Sequence, residues 1–475
     1  MLMQKIKDKI MNNDKIIFTY NQVDFIIKAQ RFGIYFSYSD GKGLSFIREY
    51  ILRLLKLTYC QRKQISDYFQ LSKKETEIIL DDLLIKKWII NAENDCIKLS
   101  PEGLSLFENN NELPSLFTLH DCYATFAMEL IDENFIEDQN TSNDKSNAIH
   151  LDPQHEALAN SINIASRNFQ NYFIELKDDA ILNLDNASAE LYKINDLNTL
   201  YSKYFRFTQY FSLDSNGNPL DRSNIEGVKN TENLEQSVTT TLGQYKTSDN
   251  LRELLQSMTK IGDSKTLEII ISGKFDRKQF NLANSELENK HGYYFLGQTY
   301  HQEALQNTLL NVFQKLKNNT KQPSKKLLWC APNDIYWGAQ DKIKNLLMLF
   351  RDNERITKNK QTHKLYDFRL YLPLNHANDT KEKRNWLNNF PDQNMKKNLY
   401  GFKDGFLHGN TEIIILEDYF AAICYHVKLP SYDVTIPIGF VTKKKEEIEH
   451  ILKTFEAYLH APHDEDSYDF GRIIQ

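Results

Sequence analysis

The chain has 475 residues, of which 41% are hydrophobic and 12% aromatic; this is enough apolar material for several packed cores, it excludes wholesale disorder, and at roughly 100–200 residues per domain it predicts two to four domains. Only 17 glycines and 11 prolines occur, with no G-x-x-x-x-G-K-[ST] and no G-x-G-x-x-G string, which argues against a P-loop NTPase or a dinucleotide enzyme. The net charge of -6 conceals an asymmetry: residues 1–90 carry 16 Lys/Arg against 10 Asp/Glu, residues 311–410 carry 19 against 9, and the remainder sums to -22, so two basic blocks suited to a phosphate backbone sit in an acidic chain.

The five cysteines (Cys60, Cys96, Cys122, Cys330 and Cys424) are far apart with no C-x-x-C pair. That spacing excludes a zinc ribbon, makes a disulfide framework improbable and predicts a reducing compartment. The N-terminus is polar, without the apolar stretch of a signal peptide, and no apolar run approaches the roughly 18 residues of a membrane span. The expectation is a soluble cytoplasmic protein with no membrane contact, no metal and no cofactor. Lys outnumbers Arg by 44 to 14, which suggests an AT-rich bacterial genome.

Residues 1–43 open with short aromatic and β-branched runs and read as an N-terminal cap containing strands. In 44–133, Phe46, Ile47, Tyr50, Ile51, Leu54 and Leu55 fall at helical spacing. QRKQISDYF reads as a short second helix. Ser72, with Glu75 three residues on, forms a capping box that starts a third helix burying Ile78, Ile79, Leu83 and Leu84. Two strands, WIIN and CIKLS, follow across the turn AEND, then PEGLSLF and a trailing helix. Residues 134–153 are polar and turn-rich and read as a linker. Residues 154–310 form an acidic middle domain, with helices expected over 155–170 and 187–204, a turn at Asn216-Gly217, loop over 225–248, a helix over LRELLQSM and a buried strand over KTLEIIISGKF.

Residues 311–475 alternate strands with helices: KKLLWCAP, a helix over 339–351, FRLYLPLN, the helix KEKRNWLNNF and the strand NLYGFKDG. Two strands joined at Glu417-Asp418 come next, then IPIGFVT and a closing amphipathic helix. The predicted fold class is therefore mixed α/β and multidomain. An aromatic stretch (Tyr201, Tyr204, Phe205, Phe207, Tyr210, Phe211) with Lys203 and Arg206 is conceivable as a stacking surface but reads first as core. The C-terminal cluster His460, His463, Asp464, Glu465 and Asp466 reads as a polar tail.

Three helices followed by a hairpin and KLSPEGLSLF resemble bacterial winged helix-turn-helix domains over about 65 residues. The resemblance implies that the third helix enters the DNA major groove by its N-terminal end, with Lys73, Lys74 and Thr76 there, Arg62 and Lys63 on phosphate, and Lys86 and Lys87 as further basic contacts. Glu75, Glu77, Asp81 and Asp82 on that helix keep protein docking open as the alternative.

The element order over 325–460 resembles one lobe of the phospholipase D-like superfamily. There, two lobes pool two H-x-K-x4-D motifs, with one His as nucleophile on phosphorus, the other as general acid, Lys on the phosphate oxygens and no metal. Here His408-Gly409-Asn410 stands at that place, with Asn at the Lys position and Ile415 at the Asp position. A literal match, His426, Lys428 and Asp433, lies one strand later, with Pro430 set to interrupt it.

Together the resemblances imply a nucleic-acid-binding component of a bacterial anti-phage defence or restriction-type system. Its phospholipase D-like lobe would be non-catalytic, its partner DNA, and the lobe would pair as a homodimer unless 154–310 hides a diverged first lobe. The alternatives are a metal-independent nuclease using His408 and an adaptor that recruits a helicase or ATPase.

Overall fold

The computed structural model describes residues 17–39, 46–107, 114, 119–179, 181–182, 184, 189–246, 249–270, 273–287, 291–319, 323–358, 360–460 and 468–474. The chain divides into two compact units: residues 1–29, 139–154 and 203–475 form one, and 30–138 with 155–202 form the other. Both differ from the expected divisions, because two long strands, β1 (Phe18–Ser39) and, later in the chain, β9 (Glu190–Leu213), each run through both units.

The smaller unit begins with α1 (Phe46–Leu57), β2 (Cys60–Gln61), α2 (Arg62–Phe69), α3 (Lys73–Ile85), β3 (Ile89–Asn91), β4 (Cys96–Leu99) and α4 (Pro101–Ser105). The strands form a small antiparallel sheet in the order β2-β4-β3. Local chemistry sets the turns. The Ser72 hydroxyl accepts from the Glu75 N–H at 3.3 Å while the Glu75 carboxylate accepts from the Ser72 N–H at 2.9 Å, closing the expected capping box. Gly103 packs so close to Trp88 that a Cβ would lie 1.9 Å from its carbonyl oxygen. Ile51, Leu52, Ile65, Ile79, Leu80, Leu83 and Ile97 make the core. Ile78, expected there, is 55% exposed, and Leu84 is half-buried; Thr76 and Leu80 take the inward positions of α3 instead.

Among the described residues the trailing helix is the five-residue α4, and β5 (Leu119–Glu129) follows, paired with β6 (Phe135–Ile136). The expected linker 134–153 contains β6, β7 (Thr141–Ser142) and β8 (Ile149–Leu151). After α5 (His155–Ala159), the long helix α6 (Ser161–Asp178) packs Ala165, Phe169, Phe173 and Leu176 on Phe32, Phe36, Phe126 and Met128. The helix expected over 187–204 is the start of β9. Its apolar residues at three-residue spacing mimic a helix, but the strand lies beside β1, and sheet pairing overrides a local preference.

The larger unit adds α7 (Glu232–Tyr245), where loop was expected, then α8 (Leu251–Ile261), α9 (Lys265–Ile270), α10 (Arg277–Glu286), β10 (Gly292–Leu296) and α11 (Glu303–Asn318). The apolar run at 265–270 is thus helical, correcting the expected strand; a short apolar run fits either state until its neighbours arbitrate. Then come β11 (Lys325–Cys330), α12 (Lys342–Asn353), β12 (Arg355–Lys358), β13 (Gln361–Lys364), β14 (Tyr366–Leu374), α13 (Thr380–Asn389), α14 (Gln393–Lys396) and β15 (Leu399–Lys403). The chain closes with β16 (Thr411–Leu416), β17 (Phe420–Val427), β18 (Ile436–Thr442), α15 (Lys445–Leu459) and β19 (Asp469–Arg472).

Eight of these strands form one sheet in the order β10-β18-β17-β16-β11-β14-β15-β19. The β11–β14 and β14–β15 pairs are parallel and the rest antiparallel. Every residue of β16 and β17 is buried, so the centre of the sheet is covered on both faces. β10 and α11, expected in or beside a separate middle domain, are built into this sheet and its core. Among the described residues, no helix is long and apolar enough to cross a membrane.

Candidate functional site

In the smaller unit, Lys63 at the start of α2 and Lys73 and Lys74 at the start of α3 are exposed and have no acidic partner among the described residues. Arg62, Lys63, Lys73 and Thr76 line one concavity of about 490 Å³. Arg62 is already engaged: it donates to Asn91 Oδ1 at 2.7 Å and pairs with Asp95 at 3.4 Å. Thr76 is not presented to a ligand. It is 3% exposed and its hydroxyl donates to the Ser72 carbonyl at 3.0 Å, one turn back in the same helix. Lys86 pairs with Asp82 at 3.6 Å and lies over the Trp88 ring. With Lys87 it sits at the far end of α3, about 20 Å from Lys73 at 1.5 Å per residue. The structure therefore brings together Arg62, Lys63 and Lys73 in one concavity that Glu77 and Asp95 also line, leaves Lys74 exposed beside Lys73, and separates Lys86 and Lys87 from them. The outer face of α3 also exposes Ile78 and Ile85 beside Glu77 and Asp81, an apolar element that the capping and core pattern did not reveal.

The second basic block is neutralised in part. Lys325 pairs with Asp418, Lys326 with Glu456, Lys344 with Asp144 and Asp341, Arg351 with Asp392, and Lys364 with Asp367. Lys381, Lys383 and Arg384 on α13 and Lys396 and Lys397 at α14 have no ion pair among the described residues.

His408 is exposed, in a coil where Asp404, Gly405, Leu407, His408 and Gly409 all have positive φ. The coil is tied down at Gly405, Leu407 and Gly409, whose carbonyls accept from the Tyr458 hydroxyl, the Ser257 hydroxyl and the Asn333 N–H. A Cβ on Gly409 would fall 2.7 Å from both Asn333 Cβ and the Asp404 carbonyl oxygen. Asn410 is buried, its side-chain oxygen accepting from Ser257 at 3.0 Å and Thr411 at 2.9 Å. Ile415 is core. Lys403 lies over the Tyr468 ring.

The literal motif is split as Pro430 predicts, with β17 ending at Val427. Lys428 and Asp433 nevertheless line one concavity of about 280 Å³ with Lys246, Asp334, Tyr336 and Thr435. His426 is 1% exposed, and its ring lies between two carboxylates: Nδ1 is 2.6 Å from Asp334 Oδ2 and Nε2 is 3.7 Å from Glu412 Oε2. Asp334 Oδ2 also accepts from Thr435 Oγ1 at 2.7 Å. Glu412 Oε1 accepts from Thr299 Oγ1, Trp329 Nε1 and Trp337 Nε1 at 2.7, 2.8 and 2.9 Å.

Burial by itself pushes the His426 imidazole down, but the hydrogen bond to Asp334, with Cys424 and the Glu412 carboxylate close by, holds it well above its ordinary value. Burial likewise pushes the Asp334 carboxyl up, and the His426 contact overcomes it, leaving Asp334 below its ordinary value. Burial pushes the Cys424 thiol up to about 11 against the opposing pull of His426. Buried and engaged through Nδ1 by Asp334, the His426 imidazole is not presented to a phosphodiester. Sequence reasoning missed Asp334, Glu412, Trp329 and Trp337. The one legible signal was a glutamate inside the otherwise apolar strand TEIIIL.

No family model matches the chain, and no curated protein matches it. Among solved structures, an archaeal chromatin protein, TrmBL2, described as showing a novel mode of DNA binding, aligns over 87% of this chain and 92% of its own at 10% identity and a TM-score of 0.21. A TM-score of 0.21 does not establish a shared fold.

Proposed function

We propose that the protein binds nucleic acid through residues 46–107, acting as a winged helix-turn-helix module, and that its C-terminal sheet is a phospholipase D-like lobe without hydrolytic activity. The observation that carries the first part is the grouping of Lys63 and Lys73 with Arg62 in one concavity at the start of α3, with Lys74 exposed beside Lys73. The N-terminus of α3 is already capped by Ser72 and carries the Glu75 carboxylate, so the lysine and arginine side chains, rather than free helix N–H groups, would hold the phosphates. The test is binding to labelled duplex DNA across a salt series. Affinity should fall steeply with salt as counterions are released; salt-independent binding, or none at low ionic strength, refutes the reading.

The second part is supported by the order of strands and helices from β11 to α15 and by the state of its histidines. His408 has Asn410 where a cation is needed, and that neutral side chain is buried with its oxygen held by hydroxyl groups. Losing a charged contact at such a transition state costs about 3–4 kcal/mol by analogy with oxyanion sites. Cleavage of DNA in EDTA that disappears in His408→Ala would overturn this part. A second reading, protein docking, is favoured by exposed Ile78 and Ile85 on α3. It predicts that Ile78→Ser with Ile85→Ser abolishes partner capture while leaving the salt dependence of DNA binding intact.

A further inference from the structure

We propose that Glu412, Cys424 and His426 bind one divalent metal ion of the zinc class inside the C-terminal sheet. No metal was expected from the sequence, since these residues sit on two strands among apolar neighbours and match no ligand spacing. Tertiary structure converges them: the ligand atoms of all three lie within 4.8 Å of one another, and all three residues are buried. β16 and β17 are paired antiparallel with Glu412 directly opposite Cys424, and His426 follows two residues later on the same face.

Two observations point to an ion. The first is that Glu412 Oε2 and His426 Nε2 are both buried and both without a hydrogen-bond partner, although they face each other. Their separation is 3.7 Å. That is too long for a hydrogen bond. Donors bound to a common tetrahedral ion at about 2.0–2.2 Å stand roughly 3.3–3.6 Å apart, close to the spacing seen. Orphaned buried groups are rare in native structures, and two aimed at one point call for an occupant.

The second observation is that the far side of each group is already held. His426 Nδ1 meets the Asp334 carboxylate at 2.6 Å, which keeps a proton on Nδ1 and aims Nε2 inward, where an ion would take the place of the second ring proton. Glu412 Oε1 is saturated by Thr299, Trp329 and Trp337, leaving Oε2 for the ion. Thr435 holds Asp334 in turn. Imidazole nitrogen, thiolate sulfur and carboxylate oxygen form a donor set that suits zinc and disfavours calcium or magnesium, which take oxygen only. Binding displaces the proton of the Cys424 thiol and whatever proton Nε2 carries, and both leave to solvent.

The experiment uses the full-length chain, purified without a polyhistidine tag. Its metal content is measured after dialysis, and Co2+ is then added to the metal-free protein as a spectroscopic probe. The expected result is about one zinc-class ion per chain, together with a thiolate-to-cobalt absorption band that zinc abolishes. Cys424→Ser should remove the band, and His426→Gln and Glu412→Gln should each weaken cobalt binding at least tenfold. Native protein that is folded by circular dichroism, carries less than one-tenth of an ion per chain and gives no cobalt band would overturn the proposal; the cluster would then be a purely protonic carboxylate–imidazole–carboxylate arrangement. Because that result is read on the native chain, a variant that fails to fold does not rescue the idea.

Discussion

Replacing Lys63, Lys73 and Lys74 together by alanine isolates the electrostatic part of DNA binding. All three are exposed and, among the described residues, free of acidic partners, so the substitution leaves the core of the module untouched, and surface changes of this kind alter stability by less than about 0.5 kcal/mol. If each lysine neutralises one phosphate, each contributes about 0.9 to the slope of log K against log salt. Three lysines then account for a slope of about 2.7 and, at roughly 0.1 M salt, about 500-fold in affinity, or about 3.7 kcal/mol. Arg62→Ala should cost less than any one of them, because its guanidinium is already shared with Asn91 and Asp95. Thr76→Ala should leave DNA affinity unchanged, since its hydroxyl is spent inside the helix. Fluorescence anisotropy of a labelled duplex, titrated at several salt concentrations, gives both slope and affinity. A triple variant with an unaltered slope, or a Lys86→Ala, Lys87→Ala pair that abolishes binding while the triple variant does not, would refute the assignment and move the contact to the other end of α3.

Four further outcomes follow from the larger unit. Burial, with Lys342 nearby, pushes His301 from its ordinary 6.5 down to about 4 against the opposing pull of a hydrogen bond to Gln340. The folded chain prefers the neutral imidazole, so its contribution is intact above pH 6.5 and is lost as pH falls to 4, about 3 kcal/mol in all; urea unfolding across that window should show the loss, and His301→Asn should flatten it. Asp334→Asn, which breaks a buried ion pair from one side, should lower stability by about 3–5 kcal/mol, and an unchanged melting temperature would contradict the pairing. His408→Gly should raise stability by about 1 kcal/mol, because φ of 63° strains a β-carbon and not glycine. Gly409→Ala should lower it by about 2 kcal/mol or more, from the same backbone region plus the 2.7 Å approach to Asn333; calorimetry separates the two signs.

Local signals were legible wherever a segment's own chemistry decided its conformation. The Ser72–Glu75 box marked the start of α3 because both partners lie within one turn, and the same is true of Asn216-Gly217, where Gly217 takes a φ of 79°. The alternation from β11 to α15 was readable because its strands are short apolar runs bounded by turns, down to the reversal at Asp418 with its φ of 67°. Tertiary structure decided the rest. The residues of β9 carry apolar side chains at helical spacing, and pairing within the sheet alone makes them a strand. The polar span 134–153 holds strands for the same reason. Ile78 and Ile79 are adjacent and equally apolar, yet only the fold settles that one is 55% exposed and the other 8%.

The buried cluster shows the limit most plainly. Asp334 and His426 are 92 residues apart, and Trp329 and Glu412 are 83 apart. No periodicity or spacing rule joins them, because they meet by strand pairing across the sheet and by the loop that follows β11. Hydrogen bonds and ion coordination act over about 2–4 Å, a distance that sequence separation does not encode. The chain's local chemistry thus determined where most helices, turns and short strands lie, and the packing of distant strands determined which polar groups share a site.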